Sequence, residues 1–341
     1  MNPTELLERL LICDPLTAKE GRLLMELLLN ESVDEPVKGG ILTLLRSRGV
    51  TASELAIFAT YLRENSLGKA MKLGDCQNKE LLDTCGTGGG APSFNISTAA
   101  AFIVAAAGVK VAKHGNRGVT SKFGSADVLE TCGVKIQNDP EALIKNLEQV
   151  GITFLFAPAH HPTMKNVSTV RKSLGIKTVF NQLGPLANPF GAEVQLLGVY
   201  SLDIMAPMAG ALALLGTKRA AVVHSHDGLD EVSPCAPTRI FWVEEASVRE
   251  ELIHPRDYGL ELLSPVSLAP GKDLAECSAL FKEAISEPNS LRCQVCLPSA
   301  ATALLLSGAV ESLNDGAKLA RETVASGAAI AKLYALIEIS K

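Results

Sequence analysis

The stretch LLDTCGTGGGAPSFNISTAAAFIVAAAG, residues 81–108, decides the fold class. It places a short β-prone run directly before four glycines within five positions, and an alanine-rich helical run follows. The same order of β-prone run, polar loop and helix recurs along the chain, with further β-prone runs at 109–112, 152–156 and 220–223. This alternation predicts an α/β domain with a mostly parallel central sheet, whose ligand loops lie at the carboxyl ends of the strands.

Helical segments are predicted on both sides of this domain. The first 70 or so residues carry leucine at helical spacing, with Ser/Thr-x-x-Glu helix starts at Thr17 and Thr51. A helical insertion is predicted near 162–189, packing back on the N-terminal helices, because its prolines and glycines permit short helices and no long strand. We therefore expect a small N-terminal helical domain, 1–72, joined by this insertion, and a larger α/β domain, 73–341.

Composition narrows the class of protein. The 341 residues are 47% hydrophobic, 20% charged and 4% aromatic, and the formal net charge is −5. These values are typical of a globular protein with a sizeable core, and they favour neither a nucleic-acid partner nor an anionic membrane surface. The longest apolar run is too short to span a bilayer. Eight scattered cysteines, including the isolated pair Cys293 and Cys296, fit a reducing compartment, so we expect a cytoplasmic protein with buried or incidental thiols.

One long segment contains no acidic residue. Residues 84–126 are 43 positions without Asp or Glu, and they carry Lys110, Lys113, Arg117 and Lys122. Because the rest of the chain is acidic, this concentration of positive charge predicts a local anion site.

Two loops in this segment have phosphate-binding chemistry. After the glycines, Asn95, Ser97 and Thr98 lie where a helix is expected to begin at Ala99, so free backbone amides and the positive helix end would face one ligand. The second loop, KHGNRGVTSKFGSAD at 113–127, alternates bases with small hydrogen-bonding residues. Within it, His114 is compatible with either a catalytic role or a backbone hydrogen bond.

Carboxylates follow another β-prone run. In VVHSHDGLDEVSP, residues 222–234, the run ends before Asp227, Asp230 and Glu231. Magnesium in phosphate sites is typically held by one or two carboxylates plus phosphate oxygens of the substrate. These acids are therefore the candidate magnesium ligands.

Several longer motifs share an order along the chain with a known family. They are GTGG at 86–89, FNIST at 94–98, KHGNR at 113–117, GSADVLE at 124–130, FAPAHHPTM at 156–164, VRKSLGIKTVFNQLGPLANP at 170–189 and DGLDEVS at 227–233. On these motifs the chain resembles, nearly end to end, the anthranilate phosphoribosyltransferases of tryptophan biosynthesis.

The resemblance implies a fold and a reaction. The fold would be that of the phosphoribosyltransferases related to nucleoside phosphorylases, with a helical and an α/β domain, in a homodimer. In the reaction, the amine of anthranilate would displace pyrophosphate from C1 of 5-phosphoribosyl 1-diphosphate in the presence of Mg²⁺. The product would be N-(5-phosphoribosyl)anthranilate, in the second step of tryptophan synthesis from chorismate.

The resemblance also implies site residues. The phosphoribosyl diphosphate would be bound by residues of both anion loops, namely Gly86, Gly89, Gly90, Ser93, Asn95, Ile96, Ser97, Thr98, Lys113, His114, Gly115, Asn116, Arg117, Gly118, Val119, Thr120, Ser121 and Ser125. Anthranilate would contact Gly86, Asn116 and Arg171. Ser97 and Glu231 would hold one Mg²⁺, and Asp230 with Glu231 a second. Lys113 and Arg171 would act through charge and position, and no acid or base is assigned.

The chain departs from the family pattern at a few positions. The usual GTGGD reads GTGGG, so Gly90 stands where an aspartate is usual, and the loop before FNIST is one residue shorter. Ser93 replaces a threonine, and Ser299 stands near a common asparagine. The lost aspartate would remove a polar contact near the ribose or pyrophosphate.

Other classes of function fit the residues less well. A dinucleotide oxidoreductase would match GTGGGA but needs an acid about 20 residues on, where only Lys110 is charged. A nucleoside phosphorylase would use a similar phosphate loop, but it explains the paired acids less well. A relative that binds nucleic acid without catalysis would need a basic groove and degraded metal positions.

Overall fold

The computed structural model describes residues 2–67, 80–118 and 123–341. Within these ranges, seven strands form one sheet in the order β3-β2-β1-β4-β5-β6-β7. The strands are β1 (Leu82–Gly86), β2 (Val111–Gly115), β3 (Ile152–Phe156), β4 (Val194–Gly198), β5 (Arg219–Ser225), β6 (Thr238–Glu244) and β7 (Ser247–Ile253).

Helices cover both faces of the sheet. The α-helices before β4 are α1 (Pro3–Leu11), α2 (Ala18–Leu29), α3 (Glu35–Arg48), α4 (Ala52–Glu64), α5 (Ile96–Ala106), α6 (Ser125–Thr131), α7 (Pro140–Gln149), α8 (Ala157–His160), α9 (Lys165–Leu174) and α10 (Val179–Leu186). Those after β4 are α11 (Met205–Leu214), α12 (Leu274–Ser286), α13 (Leu291–Leu306), α14 (Leu313–Ala325) and α15 (Ala328–Ile339).

The sheet is mostly parallel, and the predicted fold class is confirmed. Strands β1 to β5 pair in parallel, whereas β6 and β7 continue the sheet antiparallel. The antiparallel pair was not predicted. Its edge strand β7 is rich in exposed charged residues, so the hydrophobic signal of a buried strand is missing there.

The strand order reverses beside β1. This strand is hydrogen-bonded to β2 on one side and to β4 on the other, and Gly86 at its carboxyl end lies opposite Gly198 at the end of β4. In open α/β sheets the ligand crevice lies outside the carboxyl ends of the strands at such a switch point. The topology therefore places a crevice beyond Gly86 and Gly198.

Two large cores bury the apolar faces of most helices, and a smaller third cluster buries that of α7. On one side of the sheet α5 packs against α13 and α15, which explains why almost every residue of α5 is apolar and buried. On the other side α1 to α4 share a core with α9, α10 and α11. The helices of the 162–189 segment thus pack against the N-terminal helices. None of the helices in the described ranges is long and apolar enough to cross a membrane.

Some helices begin where the sequence predicted, whereas other elements begin a few residues away from the predicted position. Thr17 and Thr51 cap α2 and α4 with the expected capping boxes. Helix α5, however, begins at Ile96 and not at Ala99, so Ser97 and Thr98 lie inside its first turn. Strand β2 begins at Val111 and not at 109: the Val109 N–H donates back to the Val104 carbonyl of α5, whereas the Val111 N–H donates to the Gly151 carbonyl just before β3.

Candidate active site

The glycine loop, residues 86–93, and the acid loop, residues 226–233, meet at the switch point. The Thr87 backbone N–H donates to the Gly198 carbonyl at 2.9 Å, and the Ala91 N–H donates to the Gly228 carbonyl at 2.8 Å. A Cβ at Gly198 would lie 1.7 Å from the Asp230 carbonyl oxygen. The two loops and the end of β4 are therefore in direct backbone contact.

Gly90 touches Asp230. A Cβ at residue 90 would lie 2.5 Å from Asp230 Oδ1 and 2.6 Å from the Asp230 backbone nitrogen. Burial raises the pKa of the Asp230 carboxyl, and hydrogen bonds from the backbone N–H groups of Asp230 and Gly90 oppose that rise. Residue 90 thus contacts the acid loop through its backbone, at a distance that only glycine permits without movement.

Glu231 lies at the start of helix α5. Its Oε1 accepts the Ser97 backbone N–H at 3.0 Å, and its Oε2 accepts the Ser299 hydroxyl at 3.3 Å. Burial and the neighbouring Asp230 raise the pKa of Glu231 to about 7. Ser97, Asp230 and Glu231 are thus brought together, as expected of a shared set of cation ligands. In the described part of the chain, no three His, Cys, Asp or Glu side chains converge to hold a metal by themselves.

Lys113 is buried against β1. Its Nζ donates to the Thr84 carbonyl and lies 3.3 Å from Thr84 Oγ1, in the middle of the strand that leads into the glycine loop. Burial lowers the pKa of the lysine, while the charges of Asp83, Cys85 and Glu231 oppose the shift. A desolvated ammonium here adds positive charge beneath the crevice, close to the acid loop.

Asp83, near the start of β1, is hydrogen-bonded to β2 and to the segment after α10. Its fully buried carboxylate accepts the His114 backbone N–H at 3.0 Å and the Asn188 side-chain amide at 2.8 Å. These bonds set the position from which the 113–118 segment enters the crevice. Neither Asp83 nor Asn188 was predicted as a site residue, since their role depends on contacts between distant parts of the chain.

His114 is held as a neutral imidazole. Its Nδ1 lies 3.1 Å from the Gly184 carbonyl, and its ring packs edge-on to His161 with centroids 5.8 Å apart. Burial lowers the pKa of His114 to about 3 and that of His160 to about 4. A backbone partner for His114 matches one of the two possibilities left open by the sequence.

Other residues of the second anion loop lie at the surface. Asn116 is exposed, and its Oδ1 accepts the Arg117 backbone N–H at 2.8 Å. Ser125 Oγ donates to the Asn116 carbonyl at 3.4 Å, which ties the segment to α6. Val119, Thr120 and Ser121 lie outside the described residues.

The charge of Arg117 is matched by acids of helix α6. Its guanidinium pairs with Asp127 at 3.2 Å and with Glu130. Asp127 also accepts the backbone N–H groups of Gly118 and Gly124, at 2.9 and 2.8 Å. In the structure, therefore, the guanidinium binds to helix α6 and does not extend freely toward the glycine loop.

Arg171 has a different environment. The half-buried guanidinium lies 5.4 Å from the centroid of the Phe180 ring, and burial lowers its pKa. Among the described residues it forms no ion pair with a carboxylate. A partly desolvated guanidinium of this kind suits a carboxylate ligand.

Sequence reasoning missed a second cation at the crevice. Lys177, in the connection between α9 and α10, donates from Nζ to the Gly89 carbonyl at 2.6 Å. The Nζ also lies 3.9 Å from the centroid of the Tyr200 ring. The residue falls inside one of the quoted motifs, but nothing in its local sequence relates it to the glycine loop.

The remaining predicted residues lie on or beside the two loops. Ser93 Oγ donates to the Phe94 carbonyl at 3.1 Å, and Ile96 and Thr98 are buried in the first turn of α5. Asn95 precedes this turn. A Cβ at Gly115 would lie 2.4 Å from Ser125 Oγ, so β2 and α6 approach closely there.

Family models match both parts of the chain. Residues 4–66 match the helical bundle domain of the glycosyl transferase family, and residues 78–330 match its a/b domain. The larger match covers well over half of the chain.

Curated relatives match nearly the whole length of the chain. An anthranilate phosphoribosyltransferase of Desulfatibacillum aliphaticivorans is 42% identical over 99% of this chain and 98% of the relative. The enzyme of that name from Synechococcus elongatus is 44% identical over 97% and 94%.

Solved structures agree. The anthranilate phosphoribosyltransferase of Thermus thermophilus superposes with a TM-score of 0.90 at 35% identity, covering 98% of this chain and 99% of that one. The enzyme from Saccharomyces cerevisiae, in complex with PRPP and Mg, has a TM-score of 0.85 at 27% identity, covering 99% and 97%. The resemblance read from the motifs is confirmed: the chain belongs to the anthranilate phosphoribosyltransferase family.

Proposed function

We propose that the crevice beyond β1 and β4 is where this enzyme transfers the phosphoribosyl group of 5-phosphoribosyl 1-diphosphate to anthranilate. The reaction releases pyrophosphate and gives N-(5-phosphoribosyl)anthranilate, in tryptophan biosynthesis. One observation carries the assignment. The glycine loop, the Asp230-Glu231 pair and the start of α5 are in direct contact at the topological switch point.

The diphosphate is proposed to lie on the glycine loop and the first turn of α5. Glycines leave room for an anion to approach the backbone, and free N–H groups at a helix start attract it. Lys113, buried beside β1 and near the charge of Glu231, adds positive charge to the same site. Residues 113–118 and Ser125 would complete the site from the β2 side, as the family pattern predicts.

Anthranilate is proposed to bind through Arg171, Gly86 and Asn116. A planar guanidinium can pair with the substrate carboxylate through two hydrogen bonds. The Phe180 ring below Arg171 limits the positions of the guanidinium and shields it from water. This pairing would direct the amine toward C1 of the ribose.

The donor set fits magnesium. Two adjacent carboxylates and the Ser97 hydroxyl are hard oxygen ligands, and the pKa of Glu231, raised to about 7 by burial and by Asp230, indicates a site where a bound cation relieves repulsion. We propose two ions per subunit, one held by Ser97 and Glu231 and one by Asp230 and Glu231. When bound, the metal would neutralise charge on the diphosphate.

The residues of the chain stabilise the departing pyrophosphate and orient the nucleophile. Departure of pyrophosphate builds negative charge on its oxygens and positive charge on the ribose. The loop N–H groups and Lys113 face the developing negative charge, while Arg171 aligns the neutral amine. No side chain is assigned as a general base, since the amine can lose its proton after attack.

The experiment follows anthranilate fluorescence in the presence of phosphoribosyl diphosphate, with Mg²⁺ or with a chelator. We expect the fluorescence to fall only with both phosphoribosyl diphosphate and Mg²⁺. The double variant Asp230→Asn with Glu231→Gln should lose this Mg²⁺-dependent turnover. Unchanged kinetics in a folded double variant would overturn the metal assignment.

The competing functions are not favoured. The family membership and the acid pair set in contact with the glycine loop leave a nucleic-acid-binding relative or a phosphorylase without a supporting observation. We further propose a homodimer and a domain division at 1–72 and 73–341 with α9 and α10 joined to the smaller part. The cytoplasmic location stays a prediction.

A further inference from the structure

Lys177 lies at the crevice and belongs to neither proposed substrate set. Its Nζ donates to the Gly89 carbonyl at 2.6 Å, above the Tyr200 ring. Burial lowers the pKa of Lys177, whereas the charge of Asp230 raises it, so the ammonium faces the acid loop. Arg46 of α3 also reaches this cluster, with Nη1 3.4 Å from the Tyr200 hydroxyl.

A single peptide unit separates Lys177 from Asp230. The Gly89 carbonyl and the Gly90 N–H belong to the same trans peptide, so they point in opposite directions. Lys177 holds the carbonyl. On the other side of the peptide Gly90 lies against the Asp230 carboxylate, where a Cβ at residue 90 would be 2.5 Å from Oδ1, and the Gly90 N–H lowers the pKa of that carboxyl. The peptide is therefore held at both edges, by a cation on one side and by a proposed metal ligand on the other.

The glycines make this arrangement possible. Gly88 and Gly89 have φ angles of +64° and +84°, which other residues rarely adopt. At Gly90 a Cβ would collide with Asp230. The departure from GTGGD at residue 90 thus coincides with a backbone contact to the acid loop.

We propose that Lys177 is a positioning residue: by holding the Gly89 carbonyl, it fixes the Gly89–Gly90 peptide so that the Gly90 N–H orients the Asp230 carboxylate. The inference rests on the proposed function of this crevice. Without the ammonium, the peptide can rotate and bring its carbonyl oxygen toward the carboxylate, where the two repel. Lys177 acts through the peptide and does not need to touch the reacting atoms.

The first test needs neither substrate nor metal. Hydrogen exchange of the Gly90 amide is measured by NMR on ¹⁵N-glycine-labelled wild type, Lys177→Met, Lys177→Arg and Lys172→Met. Lys172 is an exposed lysine near the end of α9, so it controls for loss of charge. We expect exchange about tenfold faster in Lys177→Met, the effect of losing one charge-assisted hydrogen bond. Equal rates in Lys177→Met and Lys172→Met would overturn the proposal.

The second test separates positioning from general stability. Lys177→Met should raise the KM for phosphoribosyl diphosphate and the half-saturating Mg²⁺ concentration about tenfold, with the KM for anthranilate changed less than about twofold. Lys177→Arg should restore most of the loss, because arginine can also donate to a carbonyl. Equal rises in both KM values, or no recovery with arginine, would contradict the role.

A double variant tests whether Lys177 and Gly90 act on the same contact. Gly90→Ala should raise the Mg²⁺ requirement, and Lys177→Met combined with Gly90→Ala should lose little more than the worse single variant. Additive losses would place the two effects at independent contacts and contradict the proposal. If the wild type made no product, the proposed function would fail, while the exchange rates of Gly90 would still decide the role of Lys177.

Discussion

Arg171 is suited to bind the carboxylate of anthranilate. It keeps a partly buried charge without a carboxylate partner among the described residues, so its desolvation is uncompensated until an anion binds. Arg171→Ala should therefore raise the KM for anthranilate by about tenfold to a hundredfold, as expected for a charged hydrogen-bonded pair. Steady-state kinetics with each substrate varied in turn would measure this effect.

The control for Arg171 is its neighbour Lys172, which is exposed on the same helix. Lys172→Ala should leave both KM values unchanged. An increase in the KM for phosphoribosyl diphosphate alone in Arg171→Ala would assign the guanidinium to the other substrate.

His114 makes stability depend on pH. In the unfolded chain a histidine binds a proton near pH 6.5, but the folded His114 has a pKa of about 3, so the unfolded state binds more protons at acidic pH. The free energy of unfolding therefore decreases as the pH falls, by about 2 kcal/mol between pH 7.5 and 5.0. Urea unfolding at both pH values would measure the loss.

A substitution assigns this effect to His114. His114→Gln should lose less stability between pH 7.5 and 5.0 than the wild type does. The exposed His226→Gln should behave like the wild type. The same pH dependence in all three proteins would show that His114 titrates normally in the folded state.

At the scale of single residues, the sequence shows which residue types are available for binding but not which residues they contact. The acid-free segment concentrates bases and so predicts an anion site, yet Arg117 pairs with Asp127 and Glu130, which lie just beyond that segment. Lys177 and Asp83 show the converse, because their contacts join parts of the chain about 90 and 105 residues apart. Such pairings cannot be predicted from local sequence, because they form only when the folded sheet brings the loops together.

Among the elements, β4 has a terminal glycine that the site requires. The Cβ of Gly198→Ala would lie 1.7 Å from the Asp230 carbonyl oxygen, and its three nearest atoms all belong to the Asp230 backbone. Because the backbone of β4 or of the acid loop would have to move to make room, we expect a loss of about 2 kcal/mol or more in the free energy of unfolding. We also expect a higher Mg²⁺ requirement, measured by titration of the initial rate.

Helix α3 offers a matched glycine. A Cβ at Gly39 would come no closer than 3.7 Å to Val170 Cγ1, which is ordinary van der Waals contact, and alanine is preferred over glycine inside a helix by about 0.5–1 kcal/mol. Gly39→Ala should therefore leave stability equal or higher. A loss as large as that of Gly198→Ala would mean that the effect is not specific to the β4 contact.

Elements with strong local signals were predicted, and those stabilised by neighbours were not. Capping boxes at Thr17 and Thr51 and the apolar run of α5 are written within a few residues. The pair β6 and β7 instead gains its place from cross-strand contacts, such as the ion pair of Arg239 with Glu250 and the hydrogen bond from Trp242 to Glu251. Charged residues at an exposed sheet edge resemble a loop in a sequence.

For the whole molecule, the proposed homodimer predicts a buried apolar surface. At the end of α1, Leu11 and Ile12 are 57% and 61% exposed, although both are large and apolar. We expect sedimentation to give twice the chain mass of 36.0 kDa. The double variant Leu11→Glu with Ile12→Glu should shift this mass toward the monomer, since burying two carboxylates in an interface is strongly unfavourable.

An exposed hydrophobic residue outside the N-terminal helices provides the control. Leu262→Glu changes a side chain that is 68% exposed in the segment between β7 and α12, so it should keep the dimer mass. A wild-type monomer would refute the dimer itself, whereas a dimer that persists in the Leu11 and Ile12 variant would place the interface elsewhere. Because the crevice is built from residues of one chain, we expect the monomeric variant to retain anthranilate consumption in the fluorescence assay, with its thermal unfolding midpoint lowered by loss of the interface.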